Sequence, residues 1–391
     1  MKLKLPHMGL LPRVIIAIIL GIGAGMVLPA GVVRVFVTFN GLFSEFLGFM
    51  IPLIILGLVA PAIAEIGRGA GRMLVATAAL AYAATLFAGF FSYGACEAAL
   101  PSIITPGAVA GDFGSSSTAP PFFTIEIPAP MSVMTALVAA FVAGLGMAGL
   151  KSEALRDVFF DFREIIMKVI QAVIIPCLPI YIFGIFLSMT QAGEVASVLA
   201  VFVKVIVVIF ALHIALLLLQ YAVAGLITRR NPLRLLWNML PAYFTALGTS
   251  SSAATIPVTL RQTVSNGVRG HIAGFVVPLC ATIHLSGSTL KIVACALALM
   301  MAQGGEADFG VMAGFICMLG VTMVAAPGVP GGAIMAALAP LESILGFGAG
   351  DQALMIALYI AMDSFGTACN VTGDGALALI IDRWFGRGVS G

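Results

Sequence analysis

The chain has 391 residues, 61% of them hydrophobic and 9% charged, with a mean hydropathy of +1.13. Soluble globular proteins carry about 25% charged residues, so this composition excludes that class and identifies an integral membrane protein. The net charge of +2 comes without a basic patch for nucleic acid, and the weakly alternating ten-residue segments of a membrane β-barrel are absent.

Apolar runs follow one another at 14–29, 38–64, 73–96, 131–149, 165–190, 195–227, 235–260, 272–302, 309–350 and 352–381. Several exceed the roughly 20 residues that span a bilayer as a helix. Lys2, Lys4 and Arg13 precede a glycine-rich stretch ending at Pro29-Ala30, a pattern shared with signal peptides. The multi-span character of the chain favours a retained first helix. The six cysteines (96, 177, 280, 295, 317, 369) show neither metal-ligand nor disulfide spacing, and most sit in apolar runs as buried thiols.

Basic residues cluster in alternate loops: Arg68 and Arg72, then Lys151, Arg156, Arg163 and Lys168, then Arg229, Arg230 and Arg234, then Arg261 and Arg269, then Arg383 and Arg387. The opposite loops hold Glu97, Asp112 and Glu126, then Glu194, then Glu306 and Asp308, with Arg34 as their basic residue. The positive-inside rule places both termini in the cytoplasm, as expected for the cell's inner (plasma) membrane.

Residues 235–260 carry no charge and have arginines at both ends. Both ends therefore belong on the cytoplasmic side, yet two crossings need about 40 residues. The segment must enter and turn back, around Gly248-Thr249-Ser250-Ser251-Ser252-Ala253-Ala254. Such a re-entrant loop is tolerated where it is buried in protein or lines a cavity. Run 309–350 has to return to the outside, and its centre, Ala325-Ala326-Pro327-Gly328-Val329-Pro330-Gly331-Gly332, is a helix breaker. Two full crossings also fit its length. Each hairpin precedes a helix with a polar interruption: His284-Leu285-Ser286-Gly287-Ser288 in one, Asn370-Val371-Thr372-Gly373-Asp374 in the other. Paired broken segments in repeated halves mark the midplane site of a secondary transporter.

In the last run Asp363, Thr367, Asn370 and Asp374 recur at i, i+4, i+7 and i+11. At helical periodicity they share an arc of roughly 60°. An aspartate at the centre of a membrane helix costs about 2.5–3.5 kcal/mol on the mildest scale. Two on one face point to a polar site rather than to lipid; a buried structural network is the other reading.

Asp-x-x-x-Thr-x-x-Asn-Val-x-Gly-Asp at 363–374 resembles the last membrane helix of the dicarboxylate/amino-acid:cation symporters, the glutamate transporter homologues. Ser250 to Thr259 resembles the serine-rich tip of that family's first hairpin, Gly328 to Met335 the tip of its second, and Ala281-Thr282-Ile283 its seventh helix. Phe49 to Ile54 and Ala119-Pro120-Pro121 are weaker echoes. The resemblance implies an all-α polytopic fold of eight transmembrane helices plus two re-entrant helical hairpins, assembled as a homotrimer in the bilayer. It divides the chain into scaffold helices at 10–66 and 131–190 and a transport domain at 73–96 and 195–391. Hairpin one falls at 235–260 and hairpin two at 309–350, and the transport domain moves as an elevator.

The same resemblance implies site residues. Asp363 would hold a substrate's ammonium and Asn370 its α-carboxylate, with Thr367 between them, and Gly366 stands where the family has a substrate arginine. Ser250, Ser251, Ser252, Gly328 and Val329 would offer hairpin-tip N–H groups, and Ser288 stands where the family has a threonine. Sodium would bind Asp374, Asn370 and the Cys280 carbonyl at one site, and the carbonyls of Thr282, Val324 and Ala326 at another. Two departures stand out. His284-Leu285-Ser286 replaces the asparagine and aspartate of a further sodium site, beside which Leu80 and Ala81 offer no side-chain oxygen. The missing cation at Gly366 leaves a second substrate carboxylate unpaired.

The expectation is a symporter of a small neutral amino acid, coupled to a reduced number of sodium ions or to protons, with His284 and Lys291 as coupling candidates and no cofactor beyond the ion. A symporter of dicarboxylates or other small organic anions is the alternative. Lys204, near a helix end, reads as snorkelling. A passive channel is a further alternative, separated from a carrier by substrate-gradient counterflow across liposomes. An intramembrane hydrolase built on Ser251 or Ser286, His284 and an aspartate matches no nucleophile motif.

Overall fold

The computed structural model describes residues 10–68, 71–107, 120–305, 308–326 and 330–385, without the side chains at 65–68 and 133–134. Gly328 and Val329 lie outside the described residues, as do Lys2, Lys4, Asp112, Ala119, Glu306 and Arg387 and the Arg68 side chain. Among the described residues the fold is all-helical.

Helix α1 (Leu10–Val27) is followed after Leu28-Pro29 by α2 (Ala30–Arg68). The run boundaries predict a connection at 30–37, but this stretch is helical. Pro29 lacks the N–H to continue α1, and its carbonyl accepts from Val32 and Val33 to start the next helix. At 39 residues α2 is about 58 Å long, too long to stand upright in a hydrocarbon core of about 30 Å. Helix α3 (Arg72–Ala99) leads to an extended segment that runs along α2. The Arg34 Nε donates to the Pro120 carbonyl (2.9 Å), Phe122 N to Thr38 Oγ1 (2.9 Å) and Ile127 N to Glu45 Oε2 (3.1 Å).

Helix α4 (Val133–Gly149) precedes α5 (Ala154–Val169), which passes through a π-helical turn at Ile170–Ile174 into α6 (Ile175–Gln191). Helix α7 (Val195–Thr228) follows. Lys204 on α7 is exposed and donates to the Ile103 carbonyl at 2.8 Å.

Two helix–turn–helix hairpins occupy the C-terminal half. The first is α8 (Pro232–Thr249) and α9 (Ser252–Ser265). It starts on an N-cap, Asn231 Oδ1 accepting from Leu233 and Arg234 N–H. Its open ends meet: Asn266 Nδ2 donates to the Leu235 carbonyl and Asn238 Nδ2 to Asn266 Oδ1, both at 2.9 Å. Arg234 and Arg261 both fall inside the helices rather than at their limits. The second pair is α12 (Phe309–Val324) and α13 (Gly332–Leu345), which pack on each other.

Each hairpin leads into a broken helix. Helices α10 (Gly270–Ile283) and α11 (Ser286–Ala302) are separated at His284-Leu285, as the sequence predicts. In the last run the break lies elsewhere. Helix α14 (Ala349–Ala361) stops at Met362, and α15 (Asp363–Phe385) leaves it at 63°. The expected interruption at Asn370–Asp374 is continuous helix, and the side chains of Asn370 and Asp374 find their partners on neighbouring elements rather than on their own backbone. Residues 349–350, expected in the second hairpin, already belong to α14.

Among the described residues six helical stretches are long and apolar enough to cross a membrane, or seven with α14–α15 counted as one. Helix α1 packs on α6, and α2 on α4, α5 and α6. Helix α3 packs instead on α11 and α12, and α15 touches α3, α7, α8, α9, α10 and α11. Helix α11 is buried along nearly its whole length, whereas much of α7 is exposed, which puts α10–α11 at the centre with α15 beside it.

Candidate functional site

The two hairpin tips and the two helix breaks converge. The first tip is a tight reversal: Ser250 adopts a left-handed conformation (φ 50°), uncommon for a residue with a side chain. Its Oγ lies 2.6 Å from Ser364 Oγ on α15. Ser251 accepts from Ala254 N–H and caps α9. At the second tip Gly331 takes φ 76°, which glycine adopts without a side-chain clash, and its N–H donates to Asp363 Oδ2 at 2.9 Å.

Asn370 joins α15 to α11. Its Oδ1 accepts from the N–H groups of Gly287 (2.8 Å) and Ser288 (3.3 Å), two of the unpaired donors that open any helix. Its Nδ2 donates to Ser288 Oγ at 3.1 Å, and so does the Tyr359 hydroxyl, at 3.1 Å. With two bonds accepted, the Ser288 hydroxyl has its own proton left to donate. Close approach of the two helices depends on Gly287: a Cβ there would meet Cys369 Cβ at 2.6 Å and the Gly366 carbonyl at 2.9 Å.

Six of the ten expected substrate residues, Ser250, Ser252, Ser288, Asp363, Thr367 and Asn370, wall one cavity of about 30 Å³ together with Tyr359. That is room for water rather than for an amino acid. Ser251 serves its own helix, and Gly366 lies beneath the cavity against Lys291. A second cavity of about 320 Å³ shares Thr282 and Ala326 with the first and reaches Arg163. Arg163 belongs to α5, so the larger cavity runs between that helix and the residues it shares with the first.

Of the expected cation ligands, Thr282, Val324 and Ala326 share the wall of the larger cavity. The other group is engaged within the protein. Asp374 Oδ1 lies 2.8 Å from His284 Nδ1, Asn370 Oδ1 accepts the two N–H groups already named, and the Cys280 carbonyl accepts His284 N–H at 2.9 Å. Each of these three groups thus already has a hydrogen-bond partner within the protein, and His284 meets two of them. Both residues of the His284–Asp374 pair are buried, at 0% and 1% side-chain exposure. Helix α7 braces this region: His213 Nε2 bonds to the Gly287 carbonyl, Gln220 Nε2 donates to Ser286 Oγ, and the Tyr221 hydroxyl donates to the Thr372 carbonyl.

Lys291, fully buried on α11, donates to the carbonyls of Tyr359 (3.2 Å) and Met362 (3.3 Å). Its Nζ stands 3.3 Å from the centre of the Tyr359 ring and 3.8 Å from Asp363 Oδ1. A Cβ on Gly366 would fall 3.0 Å from that nitrogen. A cation thus lies against Gly366, delivered from another helix. Sequence reasoning missed Tyr359 and Gly331. Tyr359 precedes Asp363 by four residues, a spacing that would have flagged it, although the break at Met362 puts the two on different helices.

Residues 10–384 match the family model described as the sodium:dicarboxylate symporter family. Among similar proteins, excitatory amino acid transporter 1 of Homo sapiens is 31% identical over 239 residues, covering 60% of this chain and 43% of that protein. Excitatory amino acid transporter 4 of Mus musculus is 30% identical over 271 residues, 66% of this chain and 47% of the relative. Neutral amino acid transporter B(0) of Mus musculus is 29% identical over 269 residues, 65% and 47% respectively. The chain thus spans about half the length of the relatives it matches.

Proposed function

We propose, for a chain that belongs to the sodium:dicarboxylate symporter family, that it is a secondary active transporter carrying a small neutral amino acid in symport with a cation. In this reading α1, α2, α4, α5 and α6 form a scaffold that trimerises. Helix α3, α7, the two hairpins and the two broken helices form a transport domain that moves across the inner membrane. The full span count is eight helices plus two re-entrant hairpins, with both termini cytoplasmic.

The observation that carries the proposal is the Asp363 carboxylate in the cavity wall, with Asn370 and the Ser288 hydroxyl as donors in the same wall. An ionised carboxylate away from water selects an ammonium, and the donors suit a carboxylate. A zwitterion presents both. The helix starts at Ser252 and Gly332 add backbone N–H groups to the anionic side. The names of similar proteins, which include both excitatory and neutral amino acid transporters, support an amino-acid substrate.

Coupling to sodium at reduced stoichiometry, or to protons, is supported by His284 on Asp374. Lys291 against Gly366 favours a second reading, in which its ammonium pairs an extra carboxylate and the substrate is a dicarboxylate or acidic amino acid.

The test is uptake into proteoliposomes from a panel of serine, alanine, threonine, aspartate and succinate, with sodium and proton gradients set separately. Neutral amino acids should be taken up, and Asp363→Asn should lose about 10- to 100-fold, the scale of removing a charged hydrogen-bond partner. Uptake of succinate or aspartate without any of the neutral three would overturn the neutral reading. Undiminished transport by Asp363→Asn would overturn the role of the carboxylate.

A further inference from the structure

Lys291 is a buried charge that the binding of a substrate does not by itself require. Its surroundings are those of a bound monovalent cation: two main-chain carbonyls, an aromatic face and a carboxylate. The carbonyls of Tyr359 and Met362 come from the end of α14, where a helix presents its negative pole. Asp363 opens α15 on the other side of the same break. The space that the ammonium fills exists because residue 366 has no side chain.

The contact with Asp363 differs from the other contacts. At 3.8 Å it is outside hydrogen-bond range, so the carboxylate is electrostatically matched without being tied. One Asp363 oxygen is held by Gly331 at the second hairpin tip, and the residue also faces the cavity. A carboxylate in that position can exchange one cation for another without dismantling the helix break, because Lys291 keeps its two carbonyls.

We propose that Lys291 is a tethered counter-cation: its ammonium matches Asp363 while the carrier is empty and yields that carboxylate to the substrate's ammonium on loading. The proposal rests on the reading of Asp363 as the group that receives the substrate. The consequence is kinetic. A carrier must return empty to complete net uptake, and a bare buried carboxylate would oppose that step. Exchange, in which the site crosses loaded in both directions, empties and refills at each face but never crosses in the bare state.

The experiment compares net uptake with exchange in proteoliposomes, using the amino acid that the panel above finds transported. In Lys291→Met, net uptake should fall about tenfold or more relative to exchange. Ammonium chloride inside the vesicles, against choline chloride, should restore the ratio, because a free ammonium ion can occupy the place of the lost one. An unchanged ratio, or uptake and exchange falling together, would overturn the proposal and leave Lys291 as a brace of the helix break. If Lys291→Met does not fold, Gly366→Ala decides. Its methyl group crowds the ammonium, so the ratio should shift in the same direction, and an unshifted ratio overturns the proposal. Absence of amino-acid transport by the wild type would instead sink the underlying reading of the site, whereas an unchanged ratio in an active carrier sinks only this proposal.

Discussion

Two aspartates on one face of α15 each meet a basic side chain from the α10–α11 region, and the two pairs differ. Asp374 and His284 are joined at 2.8 Å, and neither borders a described cavity. Asp363 and Lys291 stand 3.8 Å apart, and the aspartate faces the space between the hairpin tips. Eleven residues along a helix amount to about 16 Å, enough to separate a locked brace from an exchangeable contact. Two pairs with the same kind of charge pattern can therefore serve different ends, and bond length with cavity exposure separates them.

The largest expected effect breaks the locked pair. His284→Ala should destabilise the protein by about 3–5 kcal/mol, because Asp374 is then a buried carboxylate without its partner. Thermal unfolding in detergent reads this. The double change His284→Leu with Asp374→Leu should recover most of the loss, since two apolar groups leave no unmatched charge. A double variant no more stable than His284→Ala would show that the pair is not what holds this region.

A smaller effect reaches the same pair through backbone shape. A Cβ at Gly373 would lie 2.7 Å from Gln220 Oε1 and 2.8 Å from His284 Cε1. Gly373→Ala should cost about 1–3 kcal/mol, as overpacking does, while leaving Asp363 and Lys291 in place. A midpoint equal to the wild type would mean that α7 and His284 yield more readily than their packing indicates.

The mildest change sharpens the other side of the comparison. Ser288→Ala removes the hydroxyl that accepts from Tyr359 and Asn370. The expected loss is about 1 kcal/mol, read as a roughly fivefold rise in transport KM with little change in stability. A shift in unfolding midpoint at constant KM would place Ser288 with the braces.

Much of this arrangement was legible in the chain. The uncharged stretch between Arg234 and Arg261 required a return, and Asn238, Asn266 and Leu235 close that hairpin. The break at His284-Leu285 followed from polar residues in an apolar run. The break in the last run was misplaced because Asn370 and Asp374 read as polar interruptions, whereas Asn370 caps α11 and Asp374 bonds His284. Met362, where the helix does break, carries no sequence signal. Its carbonyl and that of Tyr359 are taken up by Lys291, which comes from another helix.

By itself the sequence determined that the chain is a multi-pass membrane protein, that its second half contains two turning segments, and that Asp363, Thr367, Asn370 and Asp374 share one face. Each of these is a local property, set by composition, charge spacing or the helical period. Only the tertiary structure decided which partner each polar group receives: Gly331 and Lys291 for Asp363, Ser288 for Asn370, His284 for Asp374. Periodicity orients a side chain about its own helix axis, but a buried polar group is satisfied by whatever the packing of distant helices delivers, and that is not a property of any one segment.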